Sequence, residues 1–371
     1  MRIVHIIDLL IWGGAQKLLV YFAQEAKKRG IEMEVIALRP NWSESPFPGQ
    51  LRALGVPVTT LNIKKLYDPR AIPSILKVLK KGKFDIVQTH LTHSNILGSV
   101  SARLLGIPVF ATLHTTNESD LIGHFTVRRN IQRFILRNIT NRVIAVADSV
   151  ASAHKERLGG RDVDVVPNAV VDIPKLPEEQ QDKLRREVLG DPKRLFVLSV
   201  GRLIEDKGMS DMINAFSAII KKNSSSYLLI VGAGELLDNL KKQVEQLNLA
   251  DFIGFAGARE DAAQLMSVAD IYVSSSHREG LSIALLEAMS VGLPILATSV
   301  GETASLLENG RGVLVPPKNV DKFAEELSKL IEQPLLRSTL GAAAREYVQS
   351  QYNLSLWMDR LLVLYSEELN K

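Results

Sequence analysis

Residues 270–289 read Asp270-Ile271-Tyr272-Val273-Ser274-Ser275-Ser276-His277-Arg278-Glu279-Gly280-Leu281-Ser282-Ile283-Ala284-Leu285-Leu286-Glu287-Ala288-Met289. A β-branched and aromatic run that stops at three serines predicts a strand. The apolar stretch from about Ser282 to Val291, closed by Gly292 and Pro294, predicts a helix. A strand that feeds directly into a helix is the repeating unit of a parallel sheet with helices on its faces. Glu279 then sits in the loop at the strand's carboxyl end, and Glu287 lies about two turns into the helix. The amides of Leu281, Ser282 and Ile283 fall between them, where N–H groups have no partner within the helix and can seat a phosphate. Two carboxylates flanking an anion seat suit a ligand with hydroxyls at both ends and phosphate in the middle, which is the shape of a nucleotide-sugar. The plainer reading makes Glu279 a first-turn acid favoured by the helix dipole and Glu287 a solvated residue. Glu287 is embedded among Leu285, Leu286, Ala288 and Met289, however, and a carboxylate in that surround is expected to be buried and kept only if paired or functional.

Outward from this stretch the same pattern repeats. Met1–Ile7, Glu34–Leu38, Asp85–Gln88, Val109–Leu113, Val143–Val146 and Val163–Val166 predict buried parallel strands, with helices such as Ala15–Arg29 and Pro69–Lys80 between them. The series then restarts with Leu195–Val200, Tyr227–Val231, Asp251–Phe255, Asp270–Ser274, Pro294–Thr298 and Gly312–Val315, separated by helices including Gly208–Lys222, Leu236–Leu247 and Asp261–Val268. A chain of 371 residues is long for one core. Two series predict an α/β protein of two Rossmann-like, doubly wound domains, residues 1–170 and 171–352, with Asn168 to Arg194 as a Pro-containing, charged connector. Ligand sites in such sheets lie at the carboxyl ends of the strands, so the cleft where two such domains face each other is the expected active site.

Composition removes several classes of function. There is no Cys, which excludes disulfides, thiol catalysis and thiolate metal sites and is compatible with a reducing cytoplasm. No apolar run approaches the roughly 18 residues needed to span a bilayer, and Met1–Ile7, interrupted by charge and leading into Gly13-Gly14, reads as a strand rather than a signal peptide. The net charge of +4 is uneven: residues 1–172 carry 23 Lys+Arg against 14 Asp+Glu, and the remainder is net acidic. The basic clusters are Lys27-Lys28-Arg29, Lys64-Lys65, Lys77 to Lys83 and Arg128 to Arg142. They suit an anionic partner or serve as solvated helix ends. Over 124–142, Phe125, Val127, Ile131, Phe134, Ile135 and Ile139 alternate with Arg128, Arg129, Arg133 and Arg137 at near-helical spacing. That pattern describes a cationic amphipathic helix that packs on its own domain or docks on a membrane. A nucleic-acid partner is not expected, since basic and aromatic residues are not interleaved and no such motif occurs.

The remaining constellations lie at predicted strand ends. Val200-Gly201-Arg202-Leu203-Ile204-Glu205-Asp206-Lys207-Gly208 places two cations on one loop before a helix, Arg202 able to bind a diphosphate bidentately and Lys207 acting as a point charge. Surface charges on a glycine turn would give the same pattern. Gly13-Gly14 has the form of a phosphate-approach loop, or of an ordinary βα turn. Val231-Gly232-Ala233-Gly234-Glu235 lacks a third glycine, Leu standing at 237, which argues against a nicotinamide site. His90 and His114 each end a predicted strand and are candidates to bond sugar hydroxyls or phosphate. His90 with His93 is a weaker metal pair, with no acidic residue close in sequence. Asn168, after Pro167, caps a turn or offers its amide to a substrate hydroxyl.

Taken in order, these elements resemble the large retaining glycosyltransferase family 4, which has the GT-B fold. The resemblance rests on Gly13-Gly14, the strand ending at His114, Pro167-Asn168, Val200-Gly201-Arg202-Leu203 with Lys207-Gly208, Gly232-Ala233-Gly234, and Glu279 to Glu287 followed by Gly292-Leu293-Pro294-Ile295. It implies an acceptor-binding domain over 1–170, a donor-binding domain over 171–352 and a last helix, within 353–371, that packs back on the first domain. It implies that Arg202 and Lys207 bind the donor diphosphate, that Glu287 accepts from the ribose hydroxyls, and that Glu279 accepts from the sugar hydroxyls with the amides of Gly280, Leu281 and Ser282 assisting. His114 would contact the sugar and the reacting centre; Gly13 and Gly14 would lie near the diphosphate and acceptor, with Asn168 also in the site. Retention would proceed by front-face displacement, without an enzyme nucleophile, a cofactor or a divalent metal. The implied setting is a cytoplasmic enzyme of polysaccharide or glycolipid synthesis, acting on a sugar or lipid-linked acceptor, with peripheral contact at the inner membrane face. Two rivals stand beside it: a nucleotide-sugar epimerase or hydrolase of the same fold, and a non-enzymatic anion-binding module. The chain departs from the family at Gln16, where many relatives carry Glu, and over Val300-Gly301-Glu302-Thr303-Ala304-Ser305, where many have Gly-Gly and a later Glu.

Overall fold

The computed structural model describes residues 1–40, 45–63, 65–116, 125–174 and 176–371. Lys64 of the Lys64-Lys65 cluster, Asn117, His124 and the side chain of Phe125 lie outside the described residues.

Ile3, Val4, Ile6 and Ile7 are all fully buried, as a strand covered on both faces by helices requires. This strand, β1 (Arg2–Ile7), is an inner strand of a sheet made with β2 (Glu32–Ala37), β3 (Val58–Thr60), β4 (Ile86–His90), β5 (Val109–Leu113), β6 (Arg142–Ala145) and β7 (Asp164–Val165), in the order β3-β2-β1-β4-β5-β6-β7. A second sheet contains β8 (Leu195–Val200), β9 (Ser226–Val231), β10 (Ile253–Gly257), β11 (Ile271–Ser274), β12 (Ile295–Thr298) and β13 (Val313–Val315), in the order β10-β9-β8-β11-β12-β13. Both are doubly wound, and all their pairs are parallel. Strand order reverses between β1 and β4 in one sheet and between β8 and β11 in the other. Connections leave those strands in opposite directions, opening a crevice at their carboxyl ends.

The sheets belong to two units: Met1–Ala169 with Leu354–Lys371, and Val170–Asn353. The last helix, Leu354–Leu369, is part of the first unit through specific contacts. The Tyr365 hydroxyl donates to Gln88 on β4, its ring meets Phe110 edge-on at 4.9 Å, and Trp357 meets Phe22 at 6.0 Å. In the second unit the core lies between the sheet and helices that include Met209–Ile220, whose Met212, Ile213 and Phe216 are fully buried. Among the described residues no helix is long and apolar enough to cross a membrane.

Two elements depart from the sequence reading. The edge strand β3 has three residues, half-buried Val58 and Thr59 and exposed Thr60, too few to show alternation. The connector holds a helix, Glu178–Leu189, in which only Leu189 is buried, so it has no apolar stripe to read. Arg185 anchors that helix instead, donating to the Val268 and Arg194 carbonyls at 2.6 and 2.9 Å and pairing with Asp270 at 3.0 Å.

The first sheet buries titratable groups as well as aliphatic ones. Burial pushes the His5 imidazole down to about 3 and His114 down to about 4, and holds His90 well below its ordinary value. Burial also lowers His154. These rings stay neutral in the fold where an unfolded chain would protonate them, near pH 6.5. Below that pH the unfolded state binds more protons, so stability falls on acidification. Asp8, whose carboxyl burial would raise but which bonds from His93 and Ser94 carry below the usual range, loses its contribution only at lower pH. All three tryptophans, Trp12, Trp42 and Trp357, fall within the first unit's sequence, so their fluorescence reports its unfolding. Between pH 7 and 5 the urea stability of this unit should drop by up to about 1.4 kcal/mol per pH unit for each buried imidazole; a flat profile would contradict it.

Candidate functional site

In the second unit the crevice is built by three loops held against one another. β8 runs out into Gly201-Arg202-Leu203, whose backbone is zipped to the loop after β9. Gly201 N–H donates to Val231 O (3.0 Å), Leu203 N–H to Ala233 O (3.0 Å) and Leu236 N–H to Leu203 O (3.1 Å). A Cβ on Gly232 or Gly234 would be driven into the Gly201 or Leu203 carbonyl oxygen. Those two glycines therefore serve close backbone approach rather than a cofactor phosphate. Leu203 is fully buried beneath the loop, and Arg202 is exposed with no ion pair among the described residues.

Next in the chain, a single 3-10 turn, Glu205–Lys207, leads through Gly208 into the helix Met209–Ile220. Gly208 has φ of 59°, and a Cβ there would strike the Ser275 carbonyl oxygen just beyond β11. Ser275 Oγ donates to the Gly208 and Lys207 carbonyls at 2.8 and 3.1 Å, and His277 N–H donates to Asp206 O at 2.8 Å. The His277 ring pairs with Asp211 at 2.7 Å. These bonds bring Lys207 and Glu279 together as an ion pair, each side chain only 17% exposed. Ser276 Oγ also reaches Glu279, at 3.4 Å. From behind, Gly301 (φ 52°) packs so tightly on the Glu279 carbonyl that no Cβ would fit, and Glu302 N–H donates to Gly280 O at 3.1 Å.

The following helix is Ile283–Ser290. Leu281 and Ser282 thus precede its first turn, and Ser282 caps the helix: its Oγ accepts from Leu285 N–H at 3.4 Å, an amide outside the expected seat. Glu287 is buried, 2% exposed. Tyr272 on β11 is equally buried and donates to Val200 O at 3.3 Å. Burial pushes its hydroxyl's pKa up, and the nearby charges of Glu279 and Glu287 push it further. Tyr272 thus links the two carboxylates into one electrostatic neighbourhood. A tyrosine in a strand registers only as a β-former, so sequence pattern gives no sign of this hydroxyl's position.

The first unit has its own cluster at the reversal between β1 and β4. His5 Nδ1 and His90 Nε2 lie 2.9 Å apart, and His90 Nδ1 and His114 Nε2 lie 3.2 Å apart. The three rings line a cavity together with Asn168, Gln88 and Trp357. Gly13 and Gly14 do not line it; they begin the helix Gly14–Lys28, whose Leu18, Leu19 and Phe22 do. Gln16 is buried and donates to Leu9 O at 3.0 Å, a bond that a carboxylate at this position could not make. His90 and His93 do not converge: His93 contacts Asp8 (3.1 Å) and Arg39 (2.9 Å). Asp8, distant in sequence, also accepts from Ser94 N–H and Oγ at 2.7 and 2.8 Å, capping the helix Thr92–Leu104. Among the described residues no His, Asp and Glu cluster has the makings of a metal site.

Of the residues singled out from sequence, Lys207, Glu279, Glu287 and the Gly280–Ser282 loop gather in the second unit with Arg202 on the adjoining loop. His114 and Asn168 gather in the first. The chain matches the model of glycosyltransferase family 4 over residues 12–172 and that of the glycosyl transferases group 1 over residues 180–347. It is 26% identical to an Escherichia coli UDP-Gal:alpha-D-GlcNAc-diphosphoundecaprenol alpha-1,3-galactosyltransferase, covering 98% of this chain and 96% of that one. It is 28% identical to a Mycobacterium leprae phosphatidyl-myo-inositol mannosyltransferase, covering 95% and 92%. Among solved structures, Anabaena HepE in complex with UDP-glucose superposes with a TM-score of 0.86 at 22% identity, covering 99% of this chain and 100% of that one. With both family models laid end to end on two doubly wound units, the chain belongs to glycosyltransferase family 4 and is a glycosyltransferase of the GT-B fold.

Proposed function

We propose that the protein transfers a sugar, with retention, from a nucleoside diphosphate donor to an acceptor hydroxyl in glycolipid or polysaccharide synthesis. The Lys207–Glu279 ion pair beside buried Glu287 carries this reading. In it, Val170–Asn353 holds the donor and the first unit holds the acceptor. Arg202 and Lys207 neutralise the diphosphate as the bond from the anomeric carbon to its oxygen breaks. Glu287 accepts from the ribose hydroxyls. Lys207 turns from Glu279 to the phosphate when donor enters, which frees the Glu279 carboxylate to accept from sugar hydroxyls while the loop amides of Gly280 to Ser282 assist. The acceptor oxygen bonds to the anomeric carbon on the face the phosphate leaves, and its proton passes to the phosphate oxygen. His114 contacts the sugar, and Gly13, Gly14 and Asn168 border the acceptor side. A uridine donor is favoured by the E. coli relative's UDP-Gal and by HepE's bound UDP-glucose.

A lipid-linked acceptor at the cytoplasmic membrane face fits the helix Phe125–Asn138. Its buried face includes Gln132, Ile135 and Leu136, while Val127, Ile131 and Phe134 stand 69%, 41% and 59% exposed beside exposed Arg129, Arg133 and Arg137. The sequence expectation that such a helix packs its apolar face inward holds for only part of it. Apolar side chains bordered by guanidinium groups match an anionic bilayer, each cation near the surface being worth about 1 kcal/mol.

Two measurements test these assignments. Glu279→Gln should lower transfer by roughly 10²-fold, as loss of a contact that strengthens in the transition state does, with little change in UDP affinity, while Lys207→Ala should weaken UDP binding as well. Unchanged transfer in both variants would exclude the site. In sedimentation with vesicles, the chain should bind phosphatidylglycerol-containing bilayers far more than pure phosphatidylcholine, and Phe134→Asp should abolish the difference. Binding unaltered by that change would remove the helix from the interface.

A further inference from the structure

The three clustered histidines of the first unit follow from strand register. His5 on β1 lies opposite Gln88 on β4, and His90 lies opposite Thr112 on β5. His90 is two residues beyond Gln88 and His114 two beyond Thr112, so all three fall on one face of the sheet in a diagonal row. Their rings follow at 5.3 and 5.4 Å between centroids. Beside them a second polar row runs from Tyr365 through Gln88 to Thr112, with Gln88 Nε2 donating to Thr112 Oγ1 at 2.8 Å. The inner end of the histidine row is closed: His5 Nε2 is buried with no hydrogen-bond partner among the described residues. Its outer end is His114, which is partly exposed.

We propose that His5 and His90 are positioning residues that lock the tautomer and ring orientation of His114. A neutral imidazole has one N–H and one bare nitrogen. In both bonds of the row an Nδ1 faces the next ring's Nε2. Only two proton arrangements satisfy both bonds at once: all three rings protonated on Nδ1, or all three on Nε2. A ring of the opposite tautomer anywhere in the row would set two N–H groups or two lone pairs face to face. Burial keeps the rings neutral, so no excess proton relaxes this rule. His114 therefore presents one fixed character at its outward Nδ1, donor or acceptor, decided by residues that touch no substrate. The functional side of this proposal rests on the reading of His114 as the sugar contact.

The test is nitrogen NMR of the full-length protein, with each imidazole assigned by single substitution among the seven histidines. His5, His90 and His114 should show one common tautomer and no exchange between the two. Unlike tautomers, or an average of both in the wild type, would overturn the proposal without any variant being needed. His90→Phe should leave UDP affinity intact, since His90 and the donor residues belong to different units, but should release His114 into a mixture of tautomers. It should lower kcat by up to roughly 10²-fold, the scale on which a misplaced reacting group acts. A kcat unchanged in a folded His90→Phe protein would overturn the positioning role. If His114→Ala itself transfers sugar normally, the sugar contact is wrong and the role falls with it, although a common tautomer would still establish the row.

Discussion

The ion pair between Lys207 and Glu279 is the constraint on which the proposed donor site depends. Two opposite charges largely removed from water attract strongly but lose hydration, and the balance between those terms is seldom a large gain in stability. Removing one partner is different, because it strands the other. Such a pair is therefore poorly explained as a staple for the fold and well explained as a site kept neutral until a ligand with charge and hydroxyls of its own replaces each partner. The surrounding backbone supports this account. Gly208 against Ser275, Gly301 against Glu279 and Gly232 against Gly201 are approaches that any Cβ would block. Four segments far apart in sequence are fixed around two side chains by glycine and by the hydroxyl of Ser275.

The first unit solves a related problem in another way. Its sheet face carries two polar rows, one of imidazoles and one made by Tyr365, Gln88 and Thr112, within a core rich in Ile, Val, Leu, Phe and Ala. Polar groups at such depth are under a strong requirement to pair wherever a partner is within reach. That requirement explains why the chain's last helix is tied to the sheet by a hydroxyl as well as by Trp357 and Leu361. A row that is neutral, stacked and anchored at one end offers a single well-defined imidazole at the other.

How much of this is legible in the sequence differs by element. Central parallel strands are continuous apolar runs, so Ile3 to Ile7 and Phe196 to Leu198 declare themselves, and so does the βα junction holding Glu279. Short or solvent-facing elements do not: Val58–Thr60 has too few residues for a period, and Glu178–Leu189 is held by Arg185 rather than an apolar stripe. Glu287 is legible because a charge among Leu, Ala and Met must have a reason. The pairing of Lys207 with Glu279, 72 residues apart, is not, since strand order brings it about. Nor is the role of Gly301, which only the position of the Glu279 carbonyl reveals. His90 and His114 are visible as strand ends, whereas His5, in mid-strand, acquires meaning only from register.

In the proposed reaction Lys207 changes partners when the donor binds. A crystal structure of the protein soaked with UDP measures this directly through the position of the Lys207 ammonium. Nζ should lie within hydrogen-bond distance of a phosphate oxygen, with Glu279 released and Glu287 accepting from the ribose hydroxyls. UDP bound with the Lys207–Glu279 pair intact and the phosphates elsewhere would contradict it.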